Sequence, residues 1–302
     1  MTMRESAHRS GEYSGRPRTP PVGSAFASQV TASLTGSTES ALPAVRSPHG
    51  HRAARPILGR VFSPEGPTVR ELAVQALSSV EHGYDLLAPA FDATPFRTPD
   101  RFLDATAAAL APLGPFDRGL DLCCGTGAGL RVLAPLCRTQ ATGVDFSAGM
   151  LARARAGATV PDGGPRVGWV RADARALPFA GAFDLAVSFG AFGHFLPAER
   201  PGLFAQVHRA LRPGGLFAFP VGAPPPPRSP WYWALAGFDA VMRVRNAVRR
   251  PPFVMYYRTF PLPAVRADLT AAGFTVATAA LEAFGRRPDG SPRARLVLAR
   301  RP

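Results

Sequence analysis

Gly119-Leu-Asp-Leu-Cys-Cys-Gly-Thr-Gly-Ala-Gly129 is followed twenty residues after Gly125 by Asp145. Leu120 and Leu122 suit a buried parallel strand, and Leu130, Val132 and Leu133 open the apolar face of a helix. Between them, Gly125 and Gly127 tolerate positive φ and leave no Cβ between the chain and a ligand. A second short strand, Ala141-Thr-Gly-Val-Asp145, ends on a lone carboxylate. Strand, glycine turn, helix, strand and acid together imply an α/β fold with a nucleoside ligand, its ribose hydroxyls taken by the acid.

The glycine spacing narrows the nucleoside. A nicotinamide dinucleotide turn needs G-x-G-x-x-G, but the position that should hold the last glycine is Leu130. The turn instead reads G-x-G-x-G and follows Asp121. Three segments come after it in order: Phe146-Ser-Ala-Gly-Met150, then Trp169-Val-Arg-Ala-Asp173-Ala174, then Leu211-Arg-Pro-Gly-Gly215 before a strand from Leu216. In this order they resemble the class I S-adenosylmethionine-dependent methyltransferases of the small-molecule, ubiquinone- and menaquinone-methylating type, with Cys123 in place of that family's first glycine. The resemblance covers roughly residues 84–299.

It implies a Rossmann-like α/β fold: a seven-stranded, mostly parallel sheet with the last strand antiparallel and helices on both faces. It also implies S-adenosylmethionine as cofactor. The cofactor residues it points to are Asp121, Cys123, Gly125, Gly127, Asp145, Phe146, Met150, Asp173, Ala174 and Ser188. Asp145 is placed on the ribose, Phe146 and Met150 beside the adenine, and Asp173 on its amino group. The implied reaction is methyl transfer to a small, apolar molecule at oxygen, carbon or nitrogen. An RNA (ribose or tRNA) methyltransferase and a non-catalytic S-adenosylmethionine-binding protein are the alternatives.

Charge bears on the RNA alternative. The chain of 302 residues carries net +14, and all 35 of its basic residues are arginine. The excess lies in residues 1–60, 241–258 and 286–301, each net +5, so the body between them is near neutral. Base-amine methylases carry an Asn/Asp-Pro-Pro-aromatic turn after the fourth strand to hold a flipped base. Here that stretch reads Ser188-Phe-Gly-Ala. Nucleic acid is therefore not the expected partner.

Residues 1–66 read as a disordered tail, rich in Ser, Arg, Pro and Gly, ahead of one domain over 67–302. Three cysteines give no disulfide framework and no metal site, which fits a reducing bacterial cytoplasm. Thr68 and Glu71 form a capping box that starts a helix expected to run to about Val80. An insert over 221–262 carries a helix over 231–250, with Asp239, Arg243, Asn246 and Arg250 on one stripe. Three readings of it stand: a lid laying Trp231 and Phe238 over the substrate, a basic amphipathic helix in peripheral contact with a membrane, or a helix packed on the sheet with its arginine face in solvent. Tyr84 and His194 complete the expected substrate pocket, with His194 as the candidate base.

Overall fold

The computed structural model describes residues 65–94, 96–256 and 260–302, the side chain of Val69 excepted. The expected N-terminal tail lies, apart from Glu65 and Gly66, outside these residues, as does Arg258.

Seven strands form one sheet: β1 (Phe116–Leu122), β2 (Cys137–Asp145), β3 (Arg166–Arg171), β4 (Phe183–Val187), β5 (Leu211–Gly222), β6 (Thr275–Ala280) and β7 (Ala294–Arg300). Their spatial order is β3-β2-β1-β4-β5-β7-β6. β1 to β5 run parallel, and β7 pairs antiparallel with both β5 and β6. The reversed last strand agrees with the sequence expectation.

Both faces of the sheet are covered, which is why Leu120 and Leu122 of β1 and Leu185 to Val187 of β4 are apolar and fully buried. On one face, α3 (Asp100–Leu110) and α4 (Leu130–Leu136) pack Leu103, Leu110, Leu130 and Leu133 against Leu185, Val187 and Leu216. On the other, α6 (Arg200–Ala210) and α8 (Leu262–Ala271) bring Leu203, Phe204, Val207, Val265 and Leu269 onto Leu120, Ala186 and Phe217. Chain order reverses between β1 and β4, so the crevice beyond their carboxyl ends is where a ligand is expected in this topology.

The N-terminal region departs from expectation. Thr68 and Glu71 do form the capping box, at 3.2 Å and 2.6 Å. However, α1 (Val69–Leu77) stops before Val80. The Ser78 hydroxyl turns back to the Val74 carbonyl, and Ser79 caps a second helix, α2 (Val80–Leu87), by accepting from the His82 N–H. Two serines in a row compete with the helical backbone, and the second favours a new N-terminus. The break matters because α2 meets the N-terminus of α5 (Ala148–Gly157) over the crevice. Asp85 accepts there from the Ser147 hydroxyl at 2.6 Å and the Gly149 N–H at 2.8 Å.

Candidate cofactor and substrate site

Asp121, one residue before the end of β1, is buried. After Leu122 the chain turns sharply: Cys123 has φ 55°, Gly125 52° and Gly127 89°. Cys123 thus stands in the left-handed region that glycine adopts freely and a side chain enters at a cost of about 1 kcal/mol or more. Burial raises its thiol well above the usual range, so it stays neutral. Cys123→Gly is expected to raise stability by about 1 kcal/mol, read as a higher midpoint in a denaturant melt. An unchanged or lower midpoint would mean that the thiol's packing outweighs the strain.

The three glycines of the turn do different things. A Cβ at Gly125 would meet nothing within 4 Å, so the backbone there faces open space. A Cβ at Gly129 would stand 2.3 Å from the Asp121 carboxylate, so the acid can lie under the loop only because this position is glycine. Gly127 serves neither purpose. A Cβ there would come 2.9 Å from the Trp169 ring, and one at Gly143 would come 2.4 Å from it. Trp169 supports the loop from below, and Gly127, expected to bind cofactor, packs on that ring instead of lining the cavity.

A cavity of about 490 Å³ opens above this turn. Asp121, Cys123, Gly125, Asp145, Phe146, Met150, Asp173 and Ala174 all line it, as do Tyr84 and His194. Asp145 accepts from the Gly125 N–H and the Ser147 N–H, both at 2.9 Å, tying the glycine turn to the end of β2. Burial raises its pKa, while these N–H bonds pull the other way. Burial also works against the Asp173 carboxylate. Its bonds from the Arg175 side chain and backbone N–H outweigh that and hold its pKa below the usual value. Arg175 in turn reaches Glu199 at 2.7 Å.

Asp121 is the anomaly. Its Oδ2 is buried and has no hydrogen-bond partner among the described residues. Burial, then the Asp145 charge, push its pKa to about 8, against the Gly129 N–H. A buried carboxyl oxygen of this kind is costly unless paired, which suits a cationic group entering the cavity beside it.

Tyr84 and His194, which are 110 residues apart in sequence, meet across the cavity wall. His194 Nδ1 lies 2.7 Å from the Val254 carbonyl, which can only accept, so Nδ1 carries the proton. Nε2 is then the acceptor, and Tyr84 donates its hydroxyl proton to it at 2.8 Å. Burial lowers the His194 pKa, keeping the ring neutral near pH 7, although the Val254 bond opposes this.

Besides Gly127, the structure places three expected site residues away from the cavity wall. Ser188 is buried and donates to the Leu122 carbonyl at 2.9 Å, so it ties β1 to the end of β4 and does not line the cavity. Trp231 and Phe238 also lie away from the cavity, on an exposed face of α7 (Pro230–Val248). The insert's contribution to the wall is instead Pro252 and Val254, after the helix. Sequence reasoning also missed Asp85, whose bonds to Ser147 and Gly149 fix α2 over the site; an acid at the middle of a short helix gives no local signal of such a partner.

Comparison with known proteins agrees with this geometry. Residues 120–215 match the family model described as a methyltransferase domain. That segment is similar to a methyltransferase domain. The matched segment holds the glycine turn, Asp145 and Asp173. An uncharacterized methyltransferase of Synechocystis is 36% identical over 107 residues, 35% of this chain and 47% of that protein. The 2-phytyl-1,4-naphtoquinone methyltransferase of Synechococcus elongatus is 28% identical over 239 residues, 76% of this chain and 90% of that one. The chain spans less than half the length of several curated relatives it matches, 42% to 47%. A chain from the complex between the Haloferax volcanii Trm112 methyltransferase activator and a methyltransferase superposes with a TM-score of 0.51 at 21% identity, over 74% of this chain and 98% of that one. That likeness shows the fold.

Proposed function

We propose that the protein is an S-adenosylmethionine-dependent methyltransferase whose acceptor is a small, apolar molecule. The observation that carries this is the Asp121 oxygen, without a hydrogen-bond partner among the described residues, beside an open glycine cradle and in one cavity with Asp145 and Asp173. The residues fit the cofactor. Asp145 would hold the ribose, Phe146 and Met150 the adenine faces, Asp173 and Ala174 its edge, and Asp121 the amino-acid end. Bound there, S-adenosylmethionine supplies an electrophilic methyl group.

The acceptor side of the cavity is apolar and aromatic, with Tyr84, Phe91, Phe96, Phe189 and Val254. Several curated relatives are named for small organic acceptors, among them 2-phytyl-1,4-naphtoquinone and 27-O-demethylrifamycin SV, and these names favour the small-molecule reading over RNA. The chain's own chemistry toward a hydroxyl acceptor is proton removal. The acceptor's proton passes to the Tyr84 oxygen while the Tyr84 proton passes to His194 Nε2, and Val254 keeps the ring in the receptive tautomer. Much of the rate would come from holding both reactants in one site. No helix among the described residues is long and apolar enough to cross a membrane. The proposed setting is the cytoplasm, where an acceptor dissolved in lipid would reach the cavity if α7 rested on a bilayer.

Asp121 offers the test. Unfolded, its carboxyl titrates near 3.8; folded, near 8. Between those values the folded protein holds a proton that the unfolded chain has lost, so this residue makes stability fall as pH rises from about 4 to about 8. A cation against Oδ2 reverses the preference. S-adenosylmethionine binding at pH 7 is therefore expected to release about one proton, measured by calorimetric titration in buffers of different ionisation heat. Asp121→Asn should abolish the release and weaken binding. Equal proton counts for the two proteins would contradict the assignment.

A further inference from the structure

The amphipathic helix of the insert sits the opposite way round from a lid. Its polar residues face the protein: Asp239 is buried, and Asn246 bonds Phe253 and Tyr256. Asn246 Oδ1 accepts from the Phe253 N–H at 2.9 Å, and Nδ2 donates to the Phe253 carbonyl and the Tyr256 hydroxyl, both at 3.0 Å. Arg245 turns back to the Ser78 and Pro251 carbonyls at 3.1 Å and 2.7 Å. Met242 packs inward with Phe253 and Tyr256, while the large apolar residues of the other faces point out. Trp231 is 64% exposed, Trp233 66%, Val241 66%, Val244 65% and Val248 81%. Trp233, Val241, Val244 and Val248 are spaced i, i+8, i+11, i+15, a single stripe along the helix.

A contiguous outward apolar stripe of this kind marks a docking surface. Its surroundings say for what. Arg228, Arg249 and Arg250 are exposed along or beside the helix, Arg243 stacks 4.8 Å from the Tyr256 ring, and the helix's one acid, Asp239, is buried. A second copy packed on this face would bring two sets of arginines together with no carboxylate of α7 to offset them. An anionic lipid surface matches both parts of the pattern, taking the valines and tryptophans into its acyl boundary and the guanidinium groups among its phosphates. We infer that α7 docks the protein on an anionic membrane.

The position gives the docking a use. The chain that leaves α7 runs through Pro252 and Val254 in the cavity wall, and Asn246 clamps it at Phe253. The His194 bond to Val254 and the Tyr256 N–H bond to the Gly193 carbonyl, at 2.8 Å, fasten the same segment to the loop after β4. A bilayer under α7 is therefore separated from the segment that walls the acceptor side only by the helix that clamps it. The docking itself does not depend on the proposed activity; the delivery of a lipid-soluble acceptor does.

The test is flotation of the full chain with vesicles of phosphatidylglycerol and phosphatidylcholine, against phosphatidylcholine alone. The wild type is expected to float with the anionic vesicles, with a blue shift of tryptophan emission, and to be released by salt. Val241→Glu with Val244→Glu is expected to lower vesicle affinity about tenfold or more, because charges placed in the apolar stripe cannot enter the acyl boundary. Residues 1–64 are the same in both proteins, so any binding through their arginines cancels. S-adenosylmethionine binding, measured in parallel, should not change; it reports on the cofactor site alone and would fail separately. Undiminished flotation of the double variant would overturn the proposal. So would binding to single-stranded RNA without vesicle binding, or a concentration-dependent dimer that the same substitutions abolish.

Discussion

Asp145→Ala is expected to weaken S-adenosylmethionine binding about a hundredfold, since two hydrogen bonds to a charged acceptor are worth about 1.5–3 kcal/mol each and each 1.4 kcal/mol is tenfold. The carboxylate ends β2 in the cavity and faces the glycine turn, where it takes the Gly125 and Ser147 N–H groups. Removing it also leaves those donors without their acceptor, so some loss of stability should accompany the loss of affinity. Asp145→Asn separates the two effects. Its amide oxygen retains an acceptor for the fold but gives up the charge and half of the accepting capacity toward a ribose. A thermal melt close to wild type together with clearly weaker binding would assign Asp145 to the ligand. Binding by Asp145→Ala within about threefold of wild type would remove it from the site.

The second large effect concerns the proton. With a hydroxyl acceptor that the wild type methylates, Tyr84→Phe is expected to lower kcat about a hundredfold or more while leaving the KM for S-adenosylmethionine in place. His194→Gln should do the same. The double variant should be little worse than either single one, because the two side chains form one relay and its loss is counted once. Burial holds the His194 pKa below its usual value of 6.5, and a protonated ring cannot accept from Tyr84. Activity should therefore fall on the acid side, below the ordinary histidine range, and that limb should vanish in His194→Gln. Additive losses, or an unchanged kcat in Tyr84→Phe, would leave the pair as wall residues only.

What the sequence made legible follows from how local each feature is. Asp121, Gly125, Asp145 and Asp173 are each set by a strand end and the few residues after it, and the parallel topology brings those ends together. Ser188 sits at such an end too. Its hydroxyl turns inward to Leu122, a choice between two faces that no neighbouring residue announces. Gly127 was read from the same motif as Gly125, but its reason is Trp169, two strands away in sequence and adjacent only across the sheet. The meeting of Tyr84 with His194 rests on the α2 docking that Asp85 secures, which is invisible to periodicity.

The insert shows the limit most sharply. Periodicity separated a polar and an apolar face on α7 but could not say which one meets the protein. An apolar face inward is the usual outcome, because burial is what pays for ordering a helix. Here the decision goes to Asn246 and Arg245. Their side chains satisfy backbone carbonyls and an N–H in the segment from Pro251 to Tyr256, and Met242 packs with Phe253 and Tyr256 on the same side. That network turned Trp231 and Phe238 from expected pocket residues into parts of an outward face.

The central claim, that the cavity over the glycine turn holds S-adenosylmethionine, is tested most directly by a crystal structure grown with saturating S-adenosylhomocysteine. The nucleoside is predicted to lie in the cavity with its ribose on Asp145, its adenine by Phe146 and Asp173, and a hydrogen-bond partner on Asp121 Oδ2. A ligand bound elsewhere, or a cavity without it at saturating concentration, would contradict the account.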